Sequence, residues 1–164
     1  MGLDRFLDAQ DVPHEGYADA LAEIRSGAKT GHWIWYVFPQ LYGLGTSGRA
    51  RAYGVRGIAE ATEYLYNPVL RARLTEIASA VAEQLRRGRS FDTLMGSAID
   101  VLKLVSSLTL FGGVARRLAC DDPSGEYEKL AFVAEEILDA ARADGYPPCE
   151  RTIAELGGES PLRT

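Results

Sequence analysis

Cysteine, histidine and long apolar runs are what this sequence has least of. Two Cys and two His occur among its 164 residues. Cys120 and Cys149 make no Cys-x-x-Cys pair, and adding His14 and His32 produces no zinc-ligand spacing. No metal and no cofactor is therefore expected, while a single Cys120–Cys149 disulfide stays open. The Gly-x-Ser-x-Gly elbow of serine hydrolases is absent, and so are the Gly-Lys-Ser/Thr of a P-loop and the dinucleotide fingerprint. The opening Met-Gly-Leu-Asp has neither the basic nor the apolar segment of an export signal. No apolar run approaches the roughly 20 residues that cross a bilayer. The expectation is a cytoplasmic protein with no membrane partner, its oligomeric state open. A net charge of −5 and a pI near 5.1 make the chain a poor coat for duplex nucleic acid.

A further absence is local. Residues 25–57 contain no Asp or Glu, yet carry Arg25, Lys29, Arg49, Arg51 and Arg56. The flanks are the reverse: residues 1–24 hold six acidic groups against one basic, and residues 121–164 eleven against four. Two readings follow. Either the basic stretch forms a pocket for a small anion, or its arginines pair with the acidic ends of the same chain.

What is present is mostly helical periodicity. Tyr17, Leu21 and Ile24 recur on one face before Gly27. Asn67-Pro68 is a helix start, because Asn caps and Pro has no N–H to leave unpaired. Leu70, Leu74, Ile77, Val81 and Leu85 then form an apolar stripe ending near Gly88. A second long helix is predicted from Ser97, with Val101, Leu104, Val105, Leu108 and Phe111 in the core. A third runs from Tyr127 to about Ala143, with Leu130, Phe132, Val133, Ile137 and Leu138 inside. Shorter helices are expected over 3–9, 49–53, 58–66 and 151–156. Trp33–Phe38 is bulky enough for a buried strand or a helical turn; lacking a partner strand, it reads as a turn. The fold class is all-α (mostly α): one compact, non-repetitive helical domain over 1–164.

Four segments hold residue types that packing does not demand. His32-Trp33-Ile34-Trp35-Tyr36-Val37-Phe38-Pro39-Gln40 offers rings that either fill the core or stack on a flat ligand. Gly43–Gly48 is either an anion-cradling loop or a turn capped by Ser47 before a short helix. Arg49, Arg51 and Arg56 follow as a natural clamp for phosphate, alongside Tyr53. On the second long helix, Asp100, Lys103 and Ser107 fall at i, i+3 and i+7, with Ser106 beside them, on a face expected to lie away from the core. Ser97-x-x-Asp100 also fits a capping box, and Asp100–Lys103 an exposed ion pair.

These residues resemble a family. His32-Trp33-x-Trp35-x-x-Phe38-Pro39-Gln40, Gly43-Leu44-Gly45-x-Ser47 and Asp100-x-x-Lys103-Leu104-x-Ser106-Ser107-x-Thr109-Leu110-Phe111 are similar to the signatures of a small bacterial family of unknown function. Its members often carry the label "calpastatin". Leu3-Asp4-Arg5-Phe6 and Asn67-Pro68-Val69-Leu70 fit as well, so the likeness covers about residues 3–115. The helices predicted at about 126–156 depart from it. The resemblance implies a mainly helical protein with its motifs lining one concave face. It also implies a distant relation to the YbiA-like (NADAR) proteins, associated with ADP-ribose and N-glycosidic bonds.

The expected function is binding or hydrolysis of an ADP-ribose-like or phosphorylated N-glycoside. Trp33 and Trp35 would wall or stack on the ligand, with His32 at the head of their run. Arg49, Arg51 and Arg56 would hold its phosphates, at the end of a loop capped by Ser47. Gln40, Ser106 and Ser107 would meet ribose hydroxyls. Asp100 would activate water or stabilise oxocarbenium charge, with Lys103 tuning it. The alternatives are a noncatalytic nucleotide or ADP-ribose recognition module, and a protein-interaction domain with an exposed aromatic patch.

Overall fold

A computed structural model describes residues 2–162. Ten helices follow one another among the described residues, and the only β feature is a parallel bridge between Leu41 and Val55. The N-terminal half consists of short helices: α1 (Asp4–Gln10), α2 (Tyr17–Ser26), α3 (Ile34–Val37), α4 (Gly48–Tyr53) and α5 (Ile58–Tyr66). The long ones are α6 (Pro68–Arg86), α8 (Ala98–Ala119) and α9 (Glu126–Ala143), with α7 (Phe91–Met95) and α10 (Glu150–Glu155) between and after them.

Capping sets the starts. Asn67 Oδ1 accepts from the N–H groups of Val69 and Leu70 at 3.0 and 3.1 Å, with Pro68 in the first turn. Ser97 Oγ accepts from Asp100 N and Ser47 Oγ from Ala50 N, so both serines cap, but the Asp100 carboxylate turns to Lys29 and Lys103 rather than back to Ser97 as a capping box needs. Ser90 caps α7, a helix that periodicity did not suggest, through Thr93 N at 3.2 Å. Trp33–Phe38 is a helical turn: Val37 N and Phe38 N donate to Trp33 O and Ile34 O.

α8 is the centre of the molecule. It packs on α9, α5, α7, α3 and α10, while α6 packs on α9, α2 and α5. By length and composition alone α8 could cross a bilayer, with a mean hydropathy of 1.6, but 67% of that window is buried inside the molecule. Two mid-helix glycines let its neighbours close in. A Cβ on Gly112 would lie 2.9 Å from Ala134 Cβ of α9, and one on Gly113 would lie 2.6 Å from Leu156 Cδ1.

Two expectations are corrected. Phe132 does not join the core; it is 73% exposed on α9, because Leu130, Val133, Ala134, Ile137 and Leu138 already face α8 and α6. The Asp100–Lys103–Ser107 face is not turned away from the core either. Ser107 is fully buried, and Phe111 on the same stripe packs on Tyr64 of α5 with ring centroids 4.7 Å apart.

Candidate functional site

The site is built outward from Glu23. On α2 its Oε1 accepts from Thr30 N and Gly31 N, both at 2.7 Å, and from the Trp33 indole N–H at 3.0 Å. Burial works to raise the Glu23 pKa, but the Gly31, Thr30 and Trp33 hydrogen bonds outweigh it and hold the carboxyl below its ordinary range. One carboxylate thus fixes the loop from α2 to α3 and the Trp33 ring together. Trp33, expected beside Trp35 as a wall, is fully buried in the core, with Lys29 Nζ 5.1 Å from its ring centroid.

Lys29 reaches from this loop to α8. Its Nζ lies 2.8 Å from Asp100 Oδ2, the side chain only 5% exposed, and also donates to Gly31 O at 2.5 Å. Lys103 approaches the other oxygen, Oδ1, at 3.4 Å. Asp100 is therefore held between two ammonium groups, and Lys103 in turn sits 4.3 Å from the centroid of Trp35. Arg49 of α4 lies 5.2 Å from the same ring and donates from Nη1 to His32 O at 3.1 Å. His32 is exposed, and its N–H donates to Glu15 Oε1 at 3.3 Å.

Arg49 also borders a cleft of about 470 Å³ with His14, Glu15, Tyr36 and Tyr53. Glu15 there holds a φ of 58°, a left-handed conformation costly for a residue with a Cβ. The Tyr36 hydroxyl donates to Glu15 O. Burial first, and the Glu15 charge second, push the Tyr36 hydroxyl pKa up.

The arginines of the basic stretch do not serve the acidic ends. Among the described residues Arg49, Arg51 and Arg56 make no ion pair. The acidic flanks are met instead by Arg73, Arg71, Arg86, Arg116 and Arg117, through Asp11, Glu126, Glu136, Glu135 and Glu159. Of the basic stretch, Arg25 and Lys29 are the ones that pair, with Glu76 and Asp100.

The expected residues do not all meet. Trp35, Arg49, Asp100, Lys103 and the His32 backbone gather. Arg56 lies in another cleft, against Tyr42 at 5.3 Å. Arg51 is exposed on α4, and Ser47 is used as its cap. Gln40 is half-buried and its carbonyl accepts from Val55 N at 2.9 Å. Ser106 is half-buried, while the buried Ser107 Oγ has no hydrogen-bond partner among the described residues. Lys29 and Glu23 were missed as site residues, for their partners are far off in sequence. Among the described residues no three His, Cys, Asp or Glu side chains gather as metal ligands.

Residues 1–122 match DUF1810, described as a protein of unknown function. The chain belongs to the DUF1810 family. It is similar to the conserved hypothetical protein Rv1873 from Mycobacterium tuberculosis, whose crystal structure superposes with a TM-score of 0.70 at 34% identity. That match covers 94% of this chain and 96% of the other, a larger share than residues 1–122 make up, so part of the tail beyond the DUF1810 match superposes too. No curated protein matches the chain.

Proposed function

We propose that this DUF1810 protein binds a small nucleotide-like anion at Trp35 and Arg49. The observation that carries the reading is Arg49, a cation with no carboxylate partner among the described residues, which borders the cleft of about 470 Å³ and lies 5.2 Å from the ring centroid of the half-buried Trp35. Arg offers a planar fork to phosphate or carboxylate, and an indole offers its face to a flat ring. The distant relation to YbiA-like proteins that the sequence motifs imply makes ADP-ribose the first ligand to try. Binding is favoured over hydrolysis because both Asp100 oxygens already face ammonium groups, at 2.8 and 3.4 Å. Asp100 then acts as a positioning residue that holds Lys103 beside the ring.

The test is a titration of the purified protein with ADP-ribose, AMP and NAD, followed by tryptophan fluorescence and by chromatography of each mixture. Binding that drops about tenfold or more in Arg49→Ala and in Trp35→Phe, with no product formed, is the expected result. Unchanged affinity in both variants sinks the reading. Product formation that vanishes in Asp100→Asn would replace it with N-glycosidic hydrolysis.

A further inference from the structure

The second arginine cleft stands apart from Trp35. Its base is the Leu41–Val55 bridge, where Tyr42 N donates to Val55 O at 2.8 Å. Its walls include Tyr42, Arg56, Gly57, Arg151 and Glu155, around a volume of about 270 Å³. Tyr42 is 47% exposed and lies under the Arg56 guanidinium.

Neither arginine here forms an ion pair among the described residues, for reasons visible in their neighbours. Glu60 is close to Arg56 in sequence, but its two oxygens are taken by Arg5 at 2.5 and 3.2 Å, and Arg56 gives it a backbone N–H and a weaker through-space attraction rather than a contact ion pair. Glu155 lies one turn after Arg151 on α10, the weaker order for a helical ion pair. Arg151 instead extends to Gly43, donating from Nη1 to its carbonyl at 2.9 Å. Gly43 allows this approach: its φ is 93°, and a Cβ there would lie 3.0 Å from Arg151 Nη2. Among the described residues neither Arg56 nor Arg151 has a carboxylate within ion-pair distance.

We infer that this cleft is a second anion site, in which Arg56 and Arg151 together take a phosphate group over the Tyr42 ring. A tetrahedral dianion suits two guanidinium forks, whose N–H groups remain partly unsatisfied by the single carbonyl. Glu155 is the negative member of the wall and weakens the site. The glycine run contributes at Gly43, by admitting Arg151. The inference does not depend on the Trp35 reading, since no residue lines both clefts.

The experiment is a titration of the full chain with inorganic phosphate and with ribose 5-phosphate, at matched ionic strength in chloride. It is read by the Nε–Hε signals of ¹⁵N-labelled arginine and by calorimetry. Phosphate is expected to move the Arg56 and Arg151 signals. Arg56→Ala and Arg151→Ala each weaken binding about tenfold to a hundredfold, whereas Arg87→Ala, exposed at the end of α6 and in neither cleft, leaves it unchanged. Arg151→Lys recovers part of the loss, and Glu155→Gln tightens binding. Stronger binding of ribose 5-phosphate assigns the cleft to phosphate monoesters, and stronger binding of inorganic phosphate assigns it to the free ion. All four side chains are surface groups, and far-UV circular dichroism checks that each variant folds. No phosphate response in the wild type, or an undiminished one in both alanine variants, overturns the proposal.

Discussion

Glu23 carries more of the site than its position on α2 suggests. Its carboxyl is depressed, so it stabilises the fold fully above the ordinary Glu range and loses that contribution as pH falls through its own lowered value. Glu23→Gln should therefore lower the urea midpoint near neutral pH, and flatten the pH dependence of stability in the acid window that opens below the ordinary Glu value of about 4.3. Parallel wild-type and variant curves across that window would refute the assignment. Asp100→Asn makes a different case. It leaves the nearly buried Lys29 ammonium without its counter-charge, at a cost of about 2 kcal/mol once partial exposure is allowed for. Urea denaturation measures it, and a loss within error would mean that solvent replaces the carboxylate freely. The residues of this network were legible only in part. Asp100, Lys103, Trp35 and Arg49 stood out by type and local spacing. Lys29 and Glu23 did not, because one meets its partner on α8 and the other holds a loop through backbone N–H groups, neither of which leaves a periodic trace.

At the scale of elements, what a sequence writes locally was readable and what neighbours impose was not. The Asn67-Pro68 and Ser97 starts were visible because a cap needs only two or three consecutive residues. The Trp33–Phe38 turn followed from the lack of a partner strand. α7 went unseen, being five residues long and too short for a stripe. Phe132 was misplaced because hydrophobicity was read ahead of phase; it falls on the side of α9 that carries Glu128, Glu135, Glu136 and Asp139. Phe132→Ala should change stability by no more than about 0.5 kcal/mol, whereas Leu138→Ala, fully buried, should cost about 2–5 kcal/mol. Equal losses in thermal or urea unfolding would contradict that exposure. The glycines of α8 give a second contrast. Alanine gains about 0.5–1 kcal/mol inside a helix, but at Gly112 the added methyl meets Ala134 Cβ at 2.9 Å, and neither partner can rotate away. Gly112→Ala should destabilise by about 1 kcal/mol net. Gly113→Ala should cost less, since what it meets is the far end of the Leu156 side chain.

For the molecule as a whole, the uneven charge along the chain turns into a division of labour. The acidic ends are met by arginines of the helical body, which leaves the three arginines of α4 and its flank without carboxylates among the described residues. Sequence gave both outcomes equal standing, because pairing is decided by which helices come together. The same closure binds the tail to the body. Residues 1–122 contain all of α8 but neither α9 nor α10, although α9 covers the most extensive face of α8. A chain ending at residue 122 should lose cooperative unfolding and NMR dispersion, and a folded fragment would disprove it. Gly112 and Gly113 also have a consequence in time. During synthesis α8 leaves the ribosome with α3, α5 and α7 already made to pack on it, but with its two notches waiting for Ala134 and Leu156, which do not yet exist. The growing chain must keep that face from other chains until α9 and α10 arrive, so the hazard of aggregation peaks in the interval between α8 and α10.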